Sequence, residues 1–199
     1  MSFMYNPFPF DDPRPVNRPE LSEKTVKSII SGGNQNVVKK FVATLADRAA
    51  KEGVVVALDG YTTANWTVFV NLIARECCLL GLGFEAFDAN AATLKSGKEI
   101  DAIIDPLLIW DTKIDPTLLY GKVYKGGYQG LMDEARTEAF KKAVPASRQA
   151  GKISVVYGYG SLIPELRELY DVKVFFDLTP MKSMLRIRRG EYSNLGKER

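Results

Sequence analysis

An α/β fold, a three-layer parallel sheet with helices on both faces, is what this sequence predicts, and three observations predict it. Short apolar runs at 54–58, 84–87, 153–157 and 172–177 alternate with stretches of helical periodicity. The first run, Val54, Val55, Val56, Ala57 and Leu58, is apolar at every position, the pattern of a parallel strand covered on both faces. The runs end on Asp59-Gly60, Asp88, Tyr157-Gly158 and Asp177, and in such sheets ligands sit beyond the carboxyl ends of the strands.

Each element has its own local cause. Residues 1–20 hold half of the prolines together with Phe3, Tyr5, Phe8 and Phe10, so they read as an extended arm that packs across the domain or a partner subunit. Residues 21–199 read as one α/β domain. Ser22 caps a helix to about Ile30, and Ser31-Gly32-Gly33-Asn34 breaks it. Val37, Phe41, Leu45 and Ala49 recur every four residues in a helix that ends near Gly53 and covers the sheet. After the first strand, Trp66 to Leu80 is apolar around much of its circumference, as in a helix held between sheet and neighbours. A strand over 84–87 follows, then a helix over 96–104 that Asp105-Pro106 stops. Leu107 to Gly130, with Gly121, Gly126, Gly127 and Gly130, reads as a long structured loop of the kind that carries substrate sites. Helices at 131–144 and 162–170, strands at 153–157 and 172–177, and an arginine-rich helix from Lys182 to Arg189 complete the chain.

Composition narrows the chemistry. A chain of 199 residues, 46% of them hydrophobic, can bury the core of one domain rather than two. A net charge of +3, dispersed until the C-terminus, gives no reason to expect nucleic acid. No run reaches membrane-spanning length and no charged-then-apolar leader opens the chain, so no membrane association and a cytoplasmic address are expected. Cys77 and Cys78 are neighbours inside a predicted helix and read as buried thiols, not as a disulfide or metal site. Histidine is absent, which excludes Ser-His-Asp and Cys-His catalysis and leaves any chemistry to Asp, Glu, Lys, Arg, Tyr or a bound ion.

The stretch from Asp59 to Thr67 has the layout of a phosphate-binding loop, a strand opening through glycine into a helix. In the pattern G-x-x-x-x-G-K-[ST], backbone N–H groups cradle phosphates, the Lys neutralises them and the final hydroxyl reaches Mg²⁺. Here Gly60 and Thr67 stand at the ends, Tyr61, Thr62, Thr63 and Ala64 lie between, and Asn65 and Trp66 occupy the second-glycine and lysine positions. Asn65 tolerates φ > 0, so the loop can keep its shape while Trp66 removes a positive charge. The same pattern also fits a plain α/β turn without a ligand. Gly158-Tyr159-Gly160 with Asp177 offers a rival, a dinucleotide fold, but its third glycine position is Ile163.

The run VVVALDGYTTANWTVFVNLIAREC resembles the P-loop strand and helix of uridine-kinase-like nucleoside kinases, and Phe87-Asp88 resembles the acid they use near the substrate hydroxyl. The block ISVVYGYGSLIPELRELYDVKVFFDLTPMKSMLRIRRGEYSNLGK is similar to their later strands and arginine-rich lid. In YGYGSLIPEL and FFDLTP the wording is closer to the kinase-like domain that accompanies some bacterial class I mannose-6-phosphate isomerase-like proteins. The resemblance implies a P-loop nucleoside-kinase-like fold, ATP and Mg²⁺ as possible cofactors with Thr67 on the metal, and Asp88 as the catalytic carboxylate that orients or deprotonates the substrate hydroxyl in any active enzyme. It implies phosphate contacts from the Asp59–Thr67 loop and from Arg186, Arg188 and Arg189. In an active enzyme, Lys95, Lys98 or the lid arginines would replace the missing lysine. A homo-oligomer or a sugar-phosphate isomerase is the implied partner, and a phosphorylated small molecule the implied ligand.

The departures carry equal weight. With Trp66 for lysine and Tyr157-Gly158 where an acid would help hold Mg²⁺, phosphoryl transfer loses charge stabilisation on the order of 10³-fold or more in rate. The expected function is therefore a degenerate kinase-like domain that binds a phosphorylated ligand, a nucleotide or a sugar phosphate, with little turnover. An active kinase with a non-standard loop is one alternative. The other is an interaction module whose cleft is closed by Tyr61 and Trp66.

Overall fold

In the computed structural model, residues 22–29, 32–61, 63–111, 113–114 and 121–192 are described. The arm at 1–20, the break at Ser31, Thr62 and the lid residues Gly196 and Lys197 lie outside them. The elements run α1 Glu23–Ile29, α2 Gly33–Glu52, β1 Val54–Gly60, α3 Trp66–Leu79, β2 Gly83–Asp88, α4 Ala89–Thr93 and α5 Gly97–Ile104. They continue with α6 Glu134–Ala146, β3 Lys152–Tyr157, β4 Val172–Phe176 and α7 Pro180–Arg188. The described strands form a four-stranded sheet in the order β2-β3-β1-β4, every pair parallel.

β1 is buried along its whole length, as its unbroken apolar run predicts. The two-residue period of a strand sends Val54, Val56 and Leu58 to one face and Val55 and Ala57 to the other. The first set packs against α2 and α3 through Val38, Val42, Leu45, Ile73 and Cys77. The second packs against α4 and α6 through Ala89, Phe140 and Val144. This is the predicted three-layer α/β arrangement, with helices on both faces.

Details of the prediction shift for local reasons. The buried stripe of α2 is Val38, Val42, Leu45 and Ala49, while Val37 stays 43% exposed, because the helix starts at Gly33 and its sheet-facing side lies one residue on. α5 begins where expected: Ser96 Oγ accepts from Glu99 N–H and the Glu99 side chain accepts from Ser96 N–H, a capping box. The helix expected over 162–170 is instead a series of turns with one 3₁₀ turn at Arg167–Leu169, as Pro164 disfavours a helical conformation for the residue before it. α4 was not foreseen, since its five residues are too few to show periodicity. Cys77 is buried, but Cys78 is exposed on the other side of α3.

The strand order fixes the place of the crevice. From β1 the chain leaves past β3 toward β2, and from β3 it leaves past β1 toward β4. Connections thus depart from two adjacent strands in opposite directions, and the gap between the carboxyl ends of β1 and β3 is the topological switch point where open α/β sheets bind ligands.

Candidate functional site

Asp59 is the organising residue of that crevice. It is 7% exposed, and its carboxylate accepts from the backbone N–H groups of Gly60 at 2.7 Å, Gly160 at 3.1 Å and Leu162 at 2.9 Å. The acid at the end of β1 thereby ties its own loop to the loop after β3. Such charge-assisted bonds contribute about 1.5–3 kcal/mol each. Gly60 is required by packing as well, for a Cβ there would lie 2.5 Å from the Phe176 carbonyl oxygen on β4. Tyr61 N–H donates to that same oxygen at 3.0 Å.

The loop after β3 is held from its other side by Asn90 in α4. Its Nδ2 donates to Tyr159 O at 2.7 Å and to the Tyr128 hydroxyl at 2.6 Å, and its Oδ1 accepts from Tyr159 N–H at 3.0 Å. The Tyr128 hydroxyl donates to Tyr159 O at 2.7 Å. Burial, with Asp59, Tyr159 and Asp88 adding to it, pushes the Tyr128 phenol well above its ordinary value, so it stays neutral. Gly160 sits at φ +80°, and a Cβ there would lie 2.6 Å from the Tyr128 ring. Asn90 and Tyr128 are missing from the sequence-based set; the glycine cluster flagged the loop that carries Tyr128, but no spacing links positions 90, 128 and 159.

Cavities open at these strand ends. A cleft of about 620 Å³ lies over the switch point between Asp59, Tyr61, Tyr128, Tyr159, Ile163 and Phe175. A smaller cavity of about 230 Å³ lies between the β1–α3 turn and α7, lined by Thr63, Ala64, Asn65, Arg186, Glu191 and Tyr192. Burial, and then Tyr159, raise the Tyr192 phenol. At the turn, Asn65 precedes α3 with no side-chain cap on the first-turn N–H groups. Its φ is −93°, not the positive value the motif allowed. Thr63 is 4% exposed, and its hydroxyl has no hydrogen-bond partner among the described residues. Arg186 Nη1 reaches across to donate to Thr63 O.

The sequence-predicted site residues therefore divide. Asp59, Gly60 and Tyr61 border the large cleft, while Thr63, Ala64, Asn65 and Arg186 border the small cavity. Trp66 is half-buried and packs its indole against the α2–α3 side of the core, and Thr67 is exposed in the first turn of α3. Arg188 is exposed away from both cavities, and Arg189 approaches Glu191 at 3.6 Å. Thr62 lies outside the described residues. Asp88 caps α4, accepting from Ala91 N–H at 2.9 Å, and Lys95 donates to Gly130 O at 2.6 Å in a separate contact. Gly158-Tyr159-Gly160 opens into turns rather than a helix, which removes the helix N-terminus a dinucleotide fold needs.

The donor set fits Mg²⁺ poorly. Asp59 has committed its carboxylate to three N–H groups, and no cluster of three acidic or thiol side chains occurs among the described residues. What the geometry offers is an uncapped helix N-terminus beside a buried free hydroxyl and a guanidinium, next to an aromatic cleft.

The sequence profile of a domain of unknown function, DUF8485, matches residues 37–199, and the chain belongs to that family. No curated protein matches the chain. Among solved structures, the chain is similar to a protein from Silicibacter sp. TM1040 assigned as a fructose transport system kinase, at 14% identity and a TM-score of 0.49, over 78% of this chain and 84% of that one. No helix among the described residues is long and apolar enough to cross a membrane.

Proposed function

We propose that this chain is a degenerate kinase-like domain that binds the phosphate of a nucleotide or sugar phosphate at the β1–α3 turn without transferring it efficiently. The observation that carries the reading is the turn itself. Among the described residues, the first-turn N–H groups of α3 have no side-chain cap and the buried Thr63 hydroxyl has no partner, and Arg186 crosses the same cavity. Backbone N–H groups at a helix N-terminus favour an anion, and a guanidinium forks onto phosphate oxygens.

Three facts support binding without efficient transfer. The lysine position of the loop holds Trp66, whose indole packs on the core. Asp59 has no carboxylate oxygen free of backbone donors. Asp88 is engaged as a helix cap. Phosphoryl transfer relies on charge stabilisation at the moving phosphoryl group, and these are the positions that would supply it. The wording shared with kinase-like domains of isomerase-associated proteins supports a sugar-phosphate alternative and an isomerase as partner.

A thermal-shift series with ATP, ADP, mannose 6-phosphate and fructose 6-phosphate, each with and without Mg²⁺, tests the reading alongside a phosphate-transfer assay. A ligand at about 100 times its Kd adds roughly 2.7 kcal/mol, several degrees in a domain of this size. The expected result is a saturable shift with no Mg²⁺ requirement and no transfer. Indifference to every phosphate compound would overturn it, and transfer abolished by Asp88→Asn would establish the active kinase instead.

A further inference from the structure

The cleft over the switch point has a lining that selects among phosphorylated ligands. Its walls are the rings of Tyr61, Tyr128, Tyr159 and Phe175 with the aliphatic Leu162 and Ile163. Tyr128 and Tyr159 meet edge to face, with ring centroids 5.6 Å apart and planes at 69°. Tyr128 cannot swing away, because Asn90 and the Tyr159 carbonyl hold its hydroxyl. Phe175 is 63% exposed and Tyr61 is 42% exposed, so two large aromatic rings are displayed at the strand ends instead of being packed away.

Hydrogen-bonding capacity is correspondingly scarce. Asp59 accepts three backbone N–H groups, and the Tyr128 hydroxyl both accepts and donates within the Asn90–Tyr159 network. Among the described side chains of the lining, that leaves the Tyr61 and Tyr159 phenols and one acceptor position on Asp59 Oδ2, which takes a single N–H, with free polar capacity. A sugar ring buried here would leave most of its hydroxyls unmatched, and each unmatched polar group is costly. A flat, weakly polar ring instead gains stacking and edge contacts with the walls.

We propose that this cleft receives a planar aromatic ring, so that the ligand of the adjoining phosphate cavity is a nucleotide and not a sugar phosphate. The inference rests on the phosphate reading above and adds the ring's place: the base lies between Tyr61, Phe175 and the Tyr128–Tyr159 wall. The sugar spans to the β1–α3 turn, whose cavity-lining Thr63, Ala64 and Asn65 follow Tyr61 within four residues.

The test is calorimetric titration of the full chain with AMP, ribose 5-phosphate and adenosine, repeated on Tyr61→Ala, Tyr61→Phe and Phe175→Ala, each checked for an unchanged far-ultraviolet circular dichroism spectrum. Tyr61 and Phe175 are exposed, so truncating them leaves the core intact. AMP is expected to bind about 5- to 150-fold more tightly than ribose 5-phosphate, the range for stacking one base. That ratio should fall in Tyr61→Ala and Phe175→Ala and persist in Tyr61→Phe. Equal affinity for AMP and ribose 5-phosphate, or a ratio indifferent to both alanine variants, would overturn the ring site while leaving phosphate binding standing. Adenosine binding that the alanine variants weaken, with ribose 5-phosphate silent, would uphold the ring site and overturn the phosphate reading. No binding of any of the three overturns both.

Discussion

Replacing Asp59 with alanine removes the acceptor that joins two loops a hundred residues apart in sequence. Gly160 N–H and Leu162 N–H lose their partner at 3.1 and 2.9 Å, and Gly60 N–H loses its local one at 2.7 Å. A buried donor left unpaired costs about 1–3 kcal/mol. Two long-range donors give roughly 2–6 kcal/mol, and water entering from the open cleft brings the expected loss to about 3 kcal/mol. In a domain of this size about 1 kcal/mol moves Tm by roughly 2–4 °C, so Tm should fall by about 6–12 °C. Asp59→Asn keeps one oxygen and turns an NH₂ group toward the same N–H donors, so it should also lose at least about 1 kcal/mol. Urea unfolding followed by circular dichroism measures both variants. A midpoint for Asp59→Asn within about 0.5 kcal/mol of the parent would show that the three N–H contacts do not hold the loops, and would refute the reasoning.

Gly160→Ala places a Cβ 2.6 Å from the Tyr128 ring on a backbone at φ +80°, so a loss of about 2 kcal/mol or more is expected in the same urea assay. An unchanged midpoint would contradict the packing described. Burial, with a smaller contribution from Glu76, pushes the Cys77 thiol up to about 11, whereas Cys78 is exposed. A thiol reagent at pH 8 should titrate one cysteine in the folded chain and the second only after denaturant is added; two equal rates would argue against the buried position. Burial raises the Tyr128 and Tyr170 phenols in the folded chain above the ordinary value of about 10. Stability from these groups is present in full below about pH 10 and is lost as the pH rises above it, so the urea midpoint at pH 11 should lie below that at pH 8. Trp66→Lys, which restores the lysine of the loop pattern, should lower Tm by several degrees as the core loses an indole, a cost of about 2 kcal/mol.

The layers were legible because burial leaves a mark on sequence. The unbroken apolar run of β1 and the apolar circumference of α3 announced a covered strand and a sandwiched helix, and both formed within two residues of the expected bounds. On α2, Leu45 and Ala49 are buried as expected, while at its first turns the buried face lies one position on, because Val37 and Val38 are both apolar and only tertiary contact decides between them. Pro164 marked the failure of the 162–170 helix, yet the turn-rich alternative depends on Asp59 drawing in Leu162 N–H from a hundred residues away. The site was legible in place and not in parts. Asp59 stands in the phosphate-loop pattern, and that pattern does not show that its carboxylate holds two loops together. Asn90 and Tyr128, which shape the cleft, meet only once the fold is made.

The most direct measurement of the central claim is a calorimetric titration of inorganic pyrophosphate into the full chain and into Arg186→Gln and Thr63→Val, without Mg²⁺. Saturable binding in the parent chain that weakens about tenfold or more in Arg186→Gln, and measurably in Thr63→Val, is the predicted result. Absence of binding in the parent, or identical binding in all three chains, would contradict an anion site at the β1–α3 turn.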